Sequence, residues 1–309
     1  MTNNTIKLSI IIVNYNVAAE IQNSIITLKK LSLTYNYEII VVDNNSTEQL
    51  IKDLPSKFPD VKFIYLHDNL GYGPANNVGV ENSQGEFILI LNPDTLFIED
   101  CISPLICYIE SESNIGAVTP MLVYQDNTFQ YSFGLERGVL VEYLDCVYVF
   151  NNFYEKIVKR KLDLLISMHS PFEVGWISGA FMLMKKSCFD EVNGFSREYK
   201  LNYEDMDLCF KLRSKGYHLV YFPDKRCVHI ESVSQRKEFY NYIYYRYKGR
   251  LYFLKNHFSA FNYYLIRFSH IFGLFLRILF SFFIYKGFEG KERRKAFWDS
   301  VKLYLTFNN

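Results

Sequence analysis

The feature of this sequence that most constrains its fold is a series of short apolar runs separated by helical patterns. The runs LSIIIV, EIIVVD, KFIYL and EFILILN follow one another between Lys7 and Asp94. Helical patterns separate them over about Ala18 to Leu31, near Glu48 and from Pro74. Because continuous apolar strands that alternate with helices are typical of a parallel sheet covered on both faces, the sequence predicts a Rossmann-like α/β half.

Each apolar run leads into polar side chains. In chain order they are Asn14 and Asn16, then Asp43, then Asp68 and Asn69, then Asn92 and Asp94. In open α/β sheets, ligands bind in the crevice outside the carboxyl ends of the strands. We therefore expect the four strand ends to meet at one ligand-binding crevice.

The second half of the body shows a weaker pattern. From about Ile115 to Pro171, short apolar stretches such as AVTPMLVY and GVLVEYLDCVYVF lie among turn residues, which predicts strands and a variable loop. From Gly175 we expect a strand over WISGAFMLM, a short helix over KSCFDEVN and a helix from about Glu204 to Lys215. A last strand, HLVYFP, leads to His229.

Charge is distributed unevenly along the chain. The 309 residues carry 34 Lys and Arg against 33 Asp and Glu, a balance that excludes a generally basic nucleic-acid binder or an acidic disordered protein. Residues 1–235 hold 20 basic and 29 acidic groups, whereas residues 236–309 hold 14 basic and 4 acidic groups and 24 of the 54 aromatic residues. We therefore predict an acidic globular domain over 1–235 and a basic, aromatic helical tail over 236–309 that meets a negatively charged partner, either membrane or nucleic acid.

The cellular compartment is indicated by the cysteines and by the N-terminal region. The six cysteines form no CxxC pair, and no segment near Met1 has the charged, apolar and cleavage regions of a signal peptide. We expect a cytoplasmic protein with buried, reduced thiols.

The tail is apolar but interrupted by charge. Between Leu251 and Gly290 the longest charge-free stretch is the eleven residues Asn256 to Ile266, whereas a membrane span needs about 20 consecutive apolar residues. Polar residues recur at spacings of three and four, at Arg267, His270, Gly273, Arg277 and Ser281. This narrow stripe favours a helix that lies in a membrane interface. The alternative is a helix packed on the body or on a second subunit of a homo-oligomer.

A nucleic-acid role for the tail has less support, because its cations are interspersed with an apolar face broader than a phosphate groove requires.

Four motifs at successive strand ends suggest a family. SIIIVNYN, VVDNNST, NLGYGPANNVG and NPD occur in that order, and together they resemble the inverting family 2 glycosyltransferases, most closely the branch of rhamnosyltransferases and surface-polysaccharide enzymes. The resemblance covers roughly Ser9 to Ser234. It implies the GT-A fold, which is a mixed, mostly parallel sheet flanked by helices, and a nucleotide-diphosphate sugar donor.

The resemblance assigns the first strand ends to the nucleotide. Asp43 would accept a hydrogen bond from the imide N–H of uracil or thymine, although an Asp at this place also suits a turn or helix cap. Asn14 and Asn16 would frame the nucleotide, although strand-end Asn residues often only close turns.

The third motif implies a donor-binding loop. Asn69 opens it, and Gly71 and Gly73 would permit backbone conformations closed to other residues. Asn76 follows Pro74 into a helix start, where an anionic or sugar ligand can bind.

The NPD motif stands where many GT-A enzymes have Asp-x-Asp, which holds a divalent ion on the diphosphate. Here Asn92 replaces the first Asp, so the ion would depend chiefly on Asp94. His229, in the segment VHIESVS, matches a place where this fold often adds a ligand. A hard, phosphate-bound cation, Mg²⁺ or Mn²⁺, is implied.

The segment Tyr203–Met206 (YEDM) opens a helix. Acidic residues in a first helical turn favourably meet the helix dipole, and the family motif also implies a catalytic role here. We predict that Asp205 is the base that takes the acceptor proton and that Glu204 assists it.

Three further residues are implied by the resemblance. Trp176 and Gly179 would shape the acceptor and donor-sugar pocket, although core packing also explains them. Arg236 would neutralise the diphosphate or face the membrane.

These observations predict a metal-dependent inverting glycosyltransferase on the cytosolic face of the cell membrane. The donor would be dTDP-rhamnose or a UDP-hexose, and the acceptor a saccharide, free or lipid-linked. One alternative is a sugar-1-phosphate nucleotidyltransferase, although such enzymes usually have a Gly-rich basic loop where this chain reads NYNVAAE. Another is an inactive saccharide-binding scaffold attached to the membrane by its tail.

Overall fold

The computed structural model describes residues 5–145, 148–231 and 239–307. The chain divides into two compact units. The first, here called the sheet unit, comprises Met1–Leu135, Leu165–Arg197 and Glu204–Glu231. The second, here called the helical unit, comprises Glu136–Leu164, Glu198–Tyr203 and Ser232–Asn309. The helical unit therefore includes two segments that precede residue 235, where the sequence places the domain boundary.

The first half of the sheet unit alternates strands and helices. The strands are β1 (Leu8–Asn14), β2 (Tyr37–Asp43), β3 (Lys62–Tyr65) and β4 (Phe87–Leu91). The helices between them are α1 (Ala18–Leu28), α2 (Leu50–Lys57) and α3 (Tyr72–Glu81). All four strands are parallel in the order β3-β2-β1-β4, which confirms the α/β half.

The second half completes a mixed sheet. The strands of this half are β5 (Thr95–Leu96), β6 (Ile115–Val123), β7 (Phe133–Gly134), β8 (Phe172–Val174), β9 (Trp176–Ile177), β10 (Phe181–Lys185) and β11 (His218–His229). Of these, β7 and β9 form a separate two-stranded antiparallel sheet, and β8 pairs with β11. The helices of this half are α4 (Ile102–Ser111), α7 (Lys186–Glu191) and α8 (Glu204–Ser214). Helix α5 (Val139–Leu144) belongs to the helical unit, as does α6 (Tyr148–Ser167) up to Leu164. The order continues β4-β10-β6-β11-β5, and β10 runs antiparallel to both of its neighbours.

The core of the sheet unit explains why these strands form. Every residue of β1 and β4 is buried, and α1 and α4 contribute apolar faces that include Ile21 and Leu105. Burying one such side chain stabilises the fold by about 1.5–3 kcal/mol. A Cβ on Gly79 would lie only 2.3 Å from Ile11 Cγ2, so α3 packs closely on β1 because this position has no side chain.

The sequence interpretation was wrong for part of the middle segment. AVTPMLVY lies in or directly after β6 as expected, but GVLVEYL forms α5 rather than a strand. A short apolar run does not by itself distinguish a buried helix from a strand. Glu142 and the C-cap residue Asp145 both pair with Arg250, and side chains three residues apart share a face in a helix but not in a strand.

The helical unit packs three long helices, α9 (Phe239–His257), α10 (Ala260–Ile284) and α11 (Gly287–Thr306). Their apolar cluster consists of Leu251, Leu254, Tyr263, Ile266, Leu274, Val301 and Tyr304. Within the described part of the chain, α10 is the one helix long and apolar enough to cross a membrane by length and composition.

The polar stripe of α10 faces the interior of the helical unit. Arg267 Nε donates to the Tyr304 carbonyl at 2.5 Å, and Arg277 donates to the Asp145 carbonyl at 3.1 Å. His270 is 2% exposed, and its Nε2 lies 2.9 Å from the Glu142 carbonyl oxygen. In a single helix that lies in a membrane interface without other protein contacts, such a stripe would face water. Here it faces protein because its partners, on α11, on α5 and at the residue that follows α5, are backbone carbonyls.

Candidate active site

The ends of β1 and β2 are joined side by side. Asn14 is fully buried and lies opposite Asp43 in the parallel register, and its Nδ2 donates to Asp43 Oδ1 at 2.8 Å. Asp43 Oδ2 also accepts from the Ser46 backbone N–H at 3.3 Å, so the turn-closing contact that the sequence allowed is present. Each carboxylate oxygen has two acceptor sites, which leaves Asp43 able to accept from a further donor.

Asn16 closes the neighbouring turn. It lies in the left-handed region with φ +57°, and its side-chain oxygen accepts from the Thr47 backbone N–H at 2.8 Å and the Glu48 N–H at 3.3 Å. Asn16 is exposed, and these hydrogen bonds position the loop that follows β2.

Asn44, which the sequence analysis did not select, connects β2 to the donor-binding loop. Its side chain is 3% exposed, donates to Asn69 Oδ1 at 3.1 Å and to the Gly71 carbonyl at 3.2 Å, and accepts from the Leu70 N–H at 2.8 Å. Asn69 Oδ1 in turn accepts from the Gly71 N–H at 3.0 Å. In the sequence, the two consecutive asparagines that follow Asp43 were the signal that could have indicated this residue.

Positions 71 and 73 of the donor-binding loop are occupied by glycine for different physical reasons. Gly71 has φ +93°, a left-handed conformation that favours glycine. The expectation for Gly73 was wrong, because its φ is not positive. A Cβ at Gly73 would lie 2.9 Å from Phe195 Cβ and 3.4 Å from Glu204 Cβ, so this glycine allows close packing of α3 against the start of α8.

Asn76 is fully buried in α3. Its Nδ2 donates to the Tyr72 carbonyl at 3.0 Å, while its Oδ1 has no hydrogen-bond partner within the described part of the chain. A buried amide oxygen without a partner is costly, so the packing of α3 alone does not account for Asn76.

Asp94 and His229 are brought together at the ends of β4 and β11. His229 Nε2 lies 3.2 Å from Asp94 Oδ1 and 3.1 Å from Asn92 Nδ2. Gln130, which the sequence analysis missed, lies 2.8 Å from His229 Nδ1 through its Oε1. Because an amide oxygen only accepts, Nδ1 donates to Gln130, and Nε2 is the ring nitrogen that faces Asp94 and Asn92.

This arrangement fits a divalent cation. Two ligands bound at right angles to one cation at about 2.1 Å lie about 3 Å apart, which is close to the separation of Asp94 Oδ1 and His229 Nε2. A ligating His usually donates its other ring N–H to an oxygen partner, as His229 does to Gln130. No group of three or more His, Cys, Asp or Glu side chains in residues 5–145, 148–231 and 239–307 could hold a metal, so a diphosphate and water would complete the shell.

The two acids at the start of α8 lie in different environments. Glu204 is 8% exposed and its Oε2 has no partner among the described residues. Burial, and then the charge of Asp205, raises the pKa of Glu204. Burial also raises the pKa of Asp205, while the Gly179 N–H, at 3.2 Å from Oδ2, and the Met206 N–H, at 2.8 Å from Oδ1, oppose that rise.

Tyr72 is a second residue that the sequence analysis missed. Its hydroxyl donates to the Gly179 carbonyl at 2.8 Å, and a Cβ at Gly179 would lie 3.2 Å from Tyr72 Cε1 and 3.7 Å from Asp205 Cβ. Gly179 is therefore held between the donor-binding loop and Asp205. No local pattern in the sequence indicates a contact between residues this far apart.

Of the remaining two predicted residues, the structure describes Trp176 but not Arg236. Trp176 lies in β9 opposite Gly134, and it is partly exposed. A Cβ at Gly134 would lie 2.5 Å from Trp176 Nε1, so glycine makes room for the indole ring. Arg236 lies outside the described residues.

The strand order, with its parallel half, its antiparallel β10 and the polar strand ends, is that of a GT-A glycosyltransferase. A mannosyltransferase, PcManGT from Pyrobaculum calidifontis, solved in complex with GDP-Man and Mn²⁺, has the same fold with a TM-score of 0.57 at 14% sequence identity. That likeness covers 98% of this chain and 88% of the other.

The model of glycosyl transferase family 2 matches residues 9–191. Because this match spans more than half of the chain, the protein belongs to glycosyltransferase family 2. It is therefore a glycosyltransferase. This assignment replaces the sugar-1-phosphate nucleotidyltransferase, which was the alternative enzyme class.

Two curated relatives extend the comparison. Over 212 residues the chain is 27% identical to the rhamnosyltransferase WbbL of Escherichia coli K12, a match that covers 66% of this chain and 76% of the relative. Over 246 residues it is 24% identical to the N-acetylglucosaminyl-diphospho-decaprenol L-rhamnosyltransferase of Mycobacterium tuberculosis, covering 75% and 78%. Both confirm the resemblance to the rhamnosyltransferase branch.

Proposed function

We propose that this enzyme transfers rhamnose from dTDP-rhamnose, with inversion, to a saccharide or lipid-linked acceptor during surface-polysaccharide synthesis. Two observations within the sheet unit carry the proposal. Asp94 and His229 face each other where β5 pairs with the end of β11. The half-buried Asp205 accepts from the Gly179 N–H, and the next residue, Ala180, accepts from the Asn92 N–H at 3.0 Å. The names of the relatives favour rhamnose as the sugar. A UDP-hexose is the second donor to test.

The nucleotide base binds at Asp43 in this proposal. The carboxylate is buried, anchored by Asn14 and able to accept one more hydrogen bond. Thymine and uracil both present an imide N–H to such an acceptor, so this contact does not choose between dTDP and UDP. Asn16, Asn69 and Gly71 act by holding the surrounding loops.

Asp94 and His229 would hold Mn²⁺ or Mg²⁺ together with the donor diphosphate, Gln130 would orient His229 through Nδ1, and Asn92 borders this site. The cation supplies positive charge beside the leaving diphosphate. An imidazole ligand favours Mn²⁺ over Mg²⁺. Arg236 neutralises a further part of the diphosphate charge.

Asp205 is the general base. It takes the proton of the acceptor hydroxyl while that oxygen bonds to the anomeric carbon and the bond from that carbon to the diphosphate breaks on the opposite face. The raised pKa of Asp205 strengthens it as a base. The Gly179 N–H orients its Oδ2.

Glu204 remains largely protonated next to Asp205, because burial and the adjacent charge disfavour a second carboxylate. It therefore keeps the ionised form on Asp205. Trp176 and Gly179 border the sugar and acceptor pocket, and the enzyme works at the cytoplasmic face of the cell membrane as a peripheral protein.

Binding of nucleotide sugars tests the proposal. The purified chain is incubated with dTDP-rhamnose, UDP-glucose, UDP-N-acetylglucosamine and GDP-mannose, with and without Mn²⁺, and binding is read by ligand-observed NMR. We expect Mn²⁺-dependent binding of dTDP-rhamnose, competed by dTDP. Binding of a UDP-sugar in its place would correct the donor, and binding of none would favour the saccharide-binding scaffold.

A further inference from the structure

The outward face of α10 is apolar along its whole length. Large side chains at spacings of three and four are 44–76% exposed, and they include Phe261, Tyr264, Phe268, Phe272, Phe275 and Leu279. The helix has 25 residues and is therefore about 38 Å long. An exposed apolar surface of this extent marks an interaction site rather than ordinary solvent-facing protein.

The polar and apolar side chains of this helix are placed opposite to those of an ordinary surface helix. Surface helices direct charged residues to water and apolar residues to the core. In α10, the side chains of Arg267, His270 and Arg277 are hydrogen-bonded to the helical unit, while phenylalanines face outward. Its outer environment must therefore be apolar for most of the helix length.

The neighbouring helix adds lysines and a tryptophan to the same surface. One face of α11 has the spacing three, four, three, four, three, and all of its members are exposed: Phe288, Lys291, Lys295, Trp298, Lys302 and Leu305. The ring of Trp298 lies edge-on to Phe275, with 6.0 Å between centroids. Tryptophan and lysine together are typical of the boundary between lipid headgroups and acyl chains.

The charged residues of the helical tail are mostly basic. Residues 239–288 contain seven basic and no acidic residues. Two of the three acids on α11 pair with nearby cations, Glu289 with Arg293 at 2.8 Å and Asp299 with Lys302 at 3.1 Å. At the start of α10, an open cavity of about 340 Å³ has both Lys255 and Arg267 in its lining, a setting suited to a lipid phosphate.

We propose that the outward faces of α10 and α11, here called the docking face, lie flat in the headgroup–acyl boundary of a bilayer that contains anionic lipids. Phe261 to Leu279 enter the acyl region, and Lys291, Lys295 and Lys302 contact phosphates. This inference concerns the helical unit and is independent of the donor chemistry proposed above.

The charges and the hydrogen bonds distinguish this occupant from two others. If a second copy of the chain covered this face, the lysines of the two copies would lie close together. Because α10 has no acidic residue, it could not neutralise them. A transmembrane orientation would leave the polar side of α10 in lipid, whereas Arg267 and Arg277 are bonded to carbonyls of the same unit.

Vesicle flotation tests the proposal on the full-length chain. Vesicles are made of phosphatidylcholine alone or with about 30% phosphatidylglycerol as the anionic lipid, and the apparent affinity of each variant is measured. Because each cation near an anionic surface adds roughly fivefold in affinity, we expect at least about tenfold tighter binding to the anionic vesicles. F268E/F272E should reduce binding about 100-fold, and K291E/K295E/K302E should abolish the preference for anionic vesicles.

A matched control carries two charges on another exposed apolar surface of the helical unit. Ile157 and Leu164 of α6 are 55% and 65% exposed, and I157E/L164E should bind vesicles as the wild type does. Circular dichroism and donor binding check that each variant is folded, so a failure here is distinguishable from a failure of the proposed function.

Three outcomes would overturn the proposal. The first is equal flotation of the wild type and F268E/F272E. The second is resistance of the bound protein to alkaline carbonate extraction, which indicates a membrane span. The third is a lipid-free dimer that F268E/F272E converts to a monomer, which indicates a second copy on this face.

Discussion

The Tyr72 hydroxyl donates a 2.8 Å hydrogen bond to the carbonyl oxygen of Gly179. The N–H of that same glycine donates to Asp205 Oδ2 at 3.2 Å. One residue of the donor-binding loop is thus connected, through a single glycine, to the proposed base. This connection makes Tyr72 a positioning residue rather than one that touches the reacting atoms.

Tyr72→Phe should lower kcat about tenfold while the KM for the donor changes less than about twofold, because the loop that orients Asp205 loses one hydrogen bond. Loss of that bond should also destabilise the fold by about 1 kcal/mol. Steady-state kinetics and urea unfolding measure both. Tyr65→Phe, at a 47% exposed residue, is the control, and an unchanged kcat in Tyr72→Phe would refute the positioning role.

Asp205→Asn should leave donor binding within about twofold of the wild type and reduce turnover by about 10²–10⁴, the usual contribution of a general base. The measurement is sugar transfer to acceptor together with donor binding by NMR. Full activity in this variant would remove Asp205 from the reaction.

Asp94→Ala should weaken the Mn²⁺ dependence of donor binding, because one of two protein ligands is lost. Gln130→Leu should weaken apparent Mn²⁺ affinity by about 10–100-fold, since it removes the partner that orients His229. Titration of Mn²⁺ at fixed donor concentration measures both. Curves that superimpose on the wild type would place the cation elsewhere.

Glu204→Gln should stabilise the protein above about pH 5. The pKa of Glu204 is higher in the folded state than the usual 4.5, so its stabilising contribution is complete below the unfolded pKa and is lost as pH rises through the folded pKa. The amide removes this loss, which is about 1.4 kcal/mol for every pH unit that separates the folded pKa from the unfolded one. Urea midpoints at pH 4, 6 and 8 test this.

The control for that series is Glu112→Gln, at an exposed carboxyl. Its urea midpoint should follow the wild type at all three pH values. A Glu204→Gln curve parallel to the wild-type curve would show that Glu204 titrates as an ordinary exposed acid.

Much of the sheet unit could be predicted from the sequence because its signals are local. An apolar run such as SIIIV can be satisfied only by burial on both faces, and the polar residues after each run therefore had to meet at one edge. Asp94 and His229 were predicted through their motifs, and they are close together in the structure. Their chemical roles stay predictions.

Other site features depend on partners that are distant in the chain. Gln130 contacts His229 across 99 residues and Tyr72 contacts Gly179 across 107, so neither has a local signal. Gly73 was assigned to backbone freedom, but the nearby Phe195 is what excludes a side chain there.

By itself, the sequence determined the alternation of strands and helices, the family and the polar ends that form the candidate site, because burial and turn chemistry act on neighbouring residues. Only the tertiary structure decided that GVLVEYL is helical and that the polar stripe of α10 faces inward. Both depend on which groups lie across the fold, as Arg250 does for Glu142 and Asp145 and as the Glu142 carbonyl does for His270. A spacing of three and four specifies one face of a helix, but the direction of that face is set by the hydrogen-bond partners that tertiary packing brings to it.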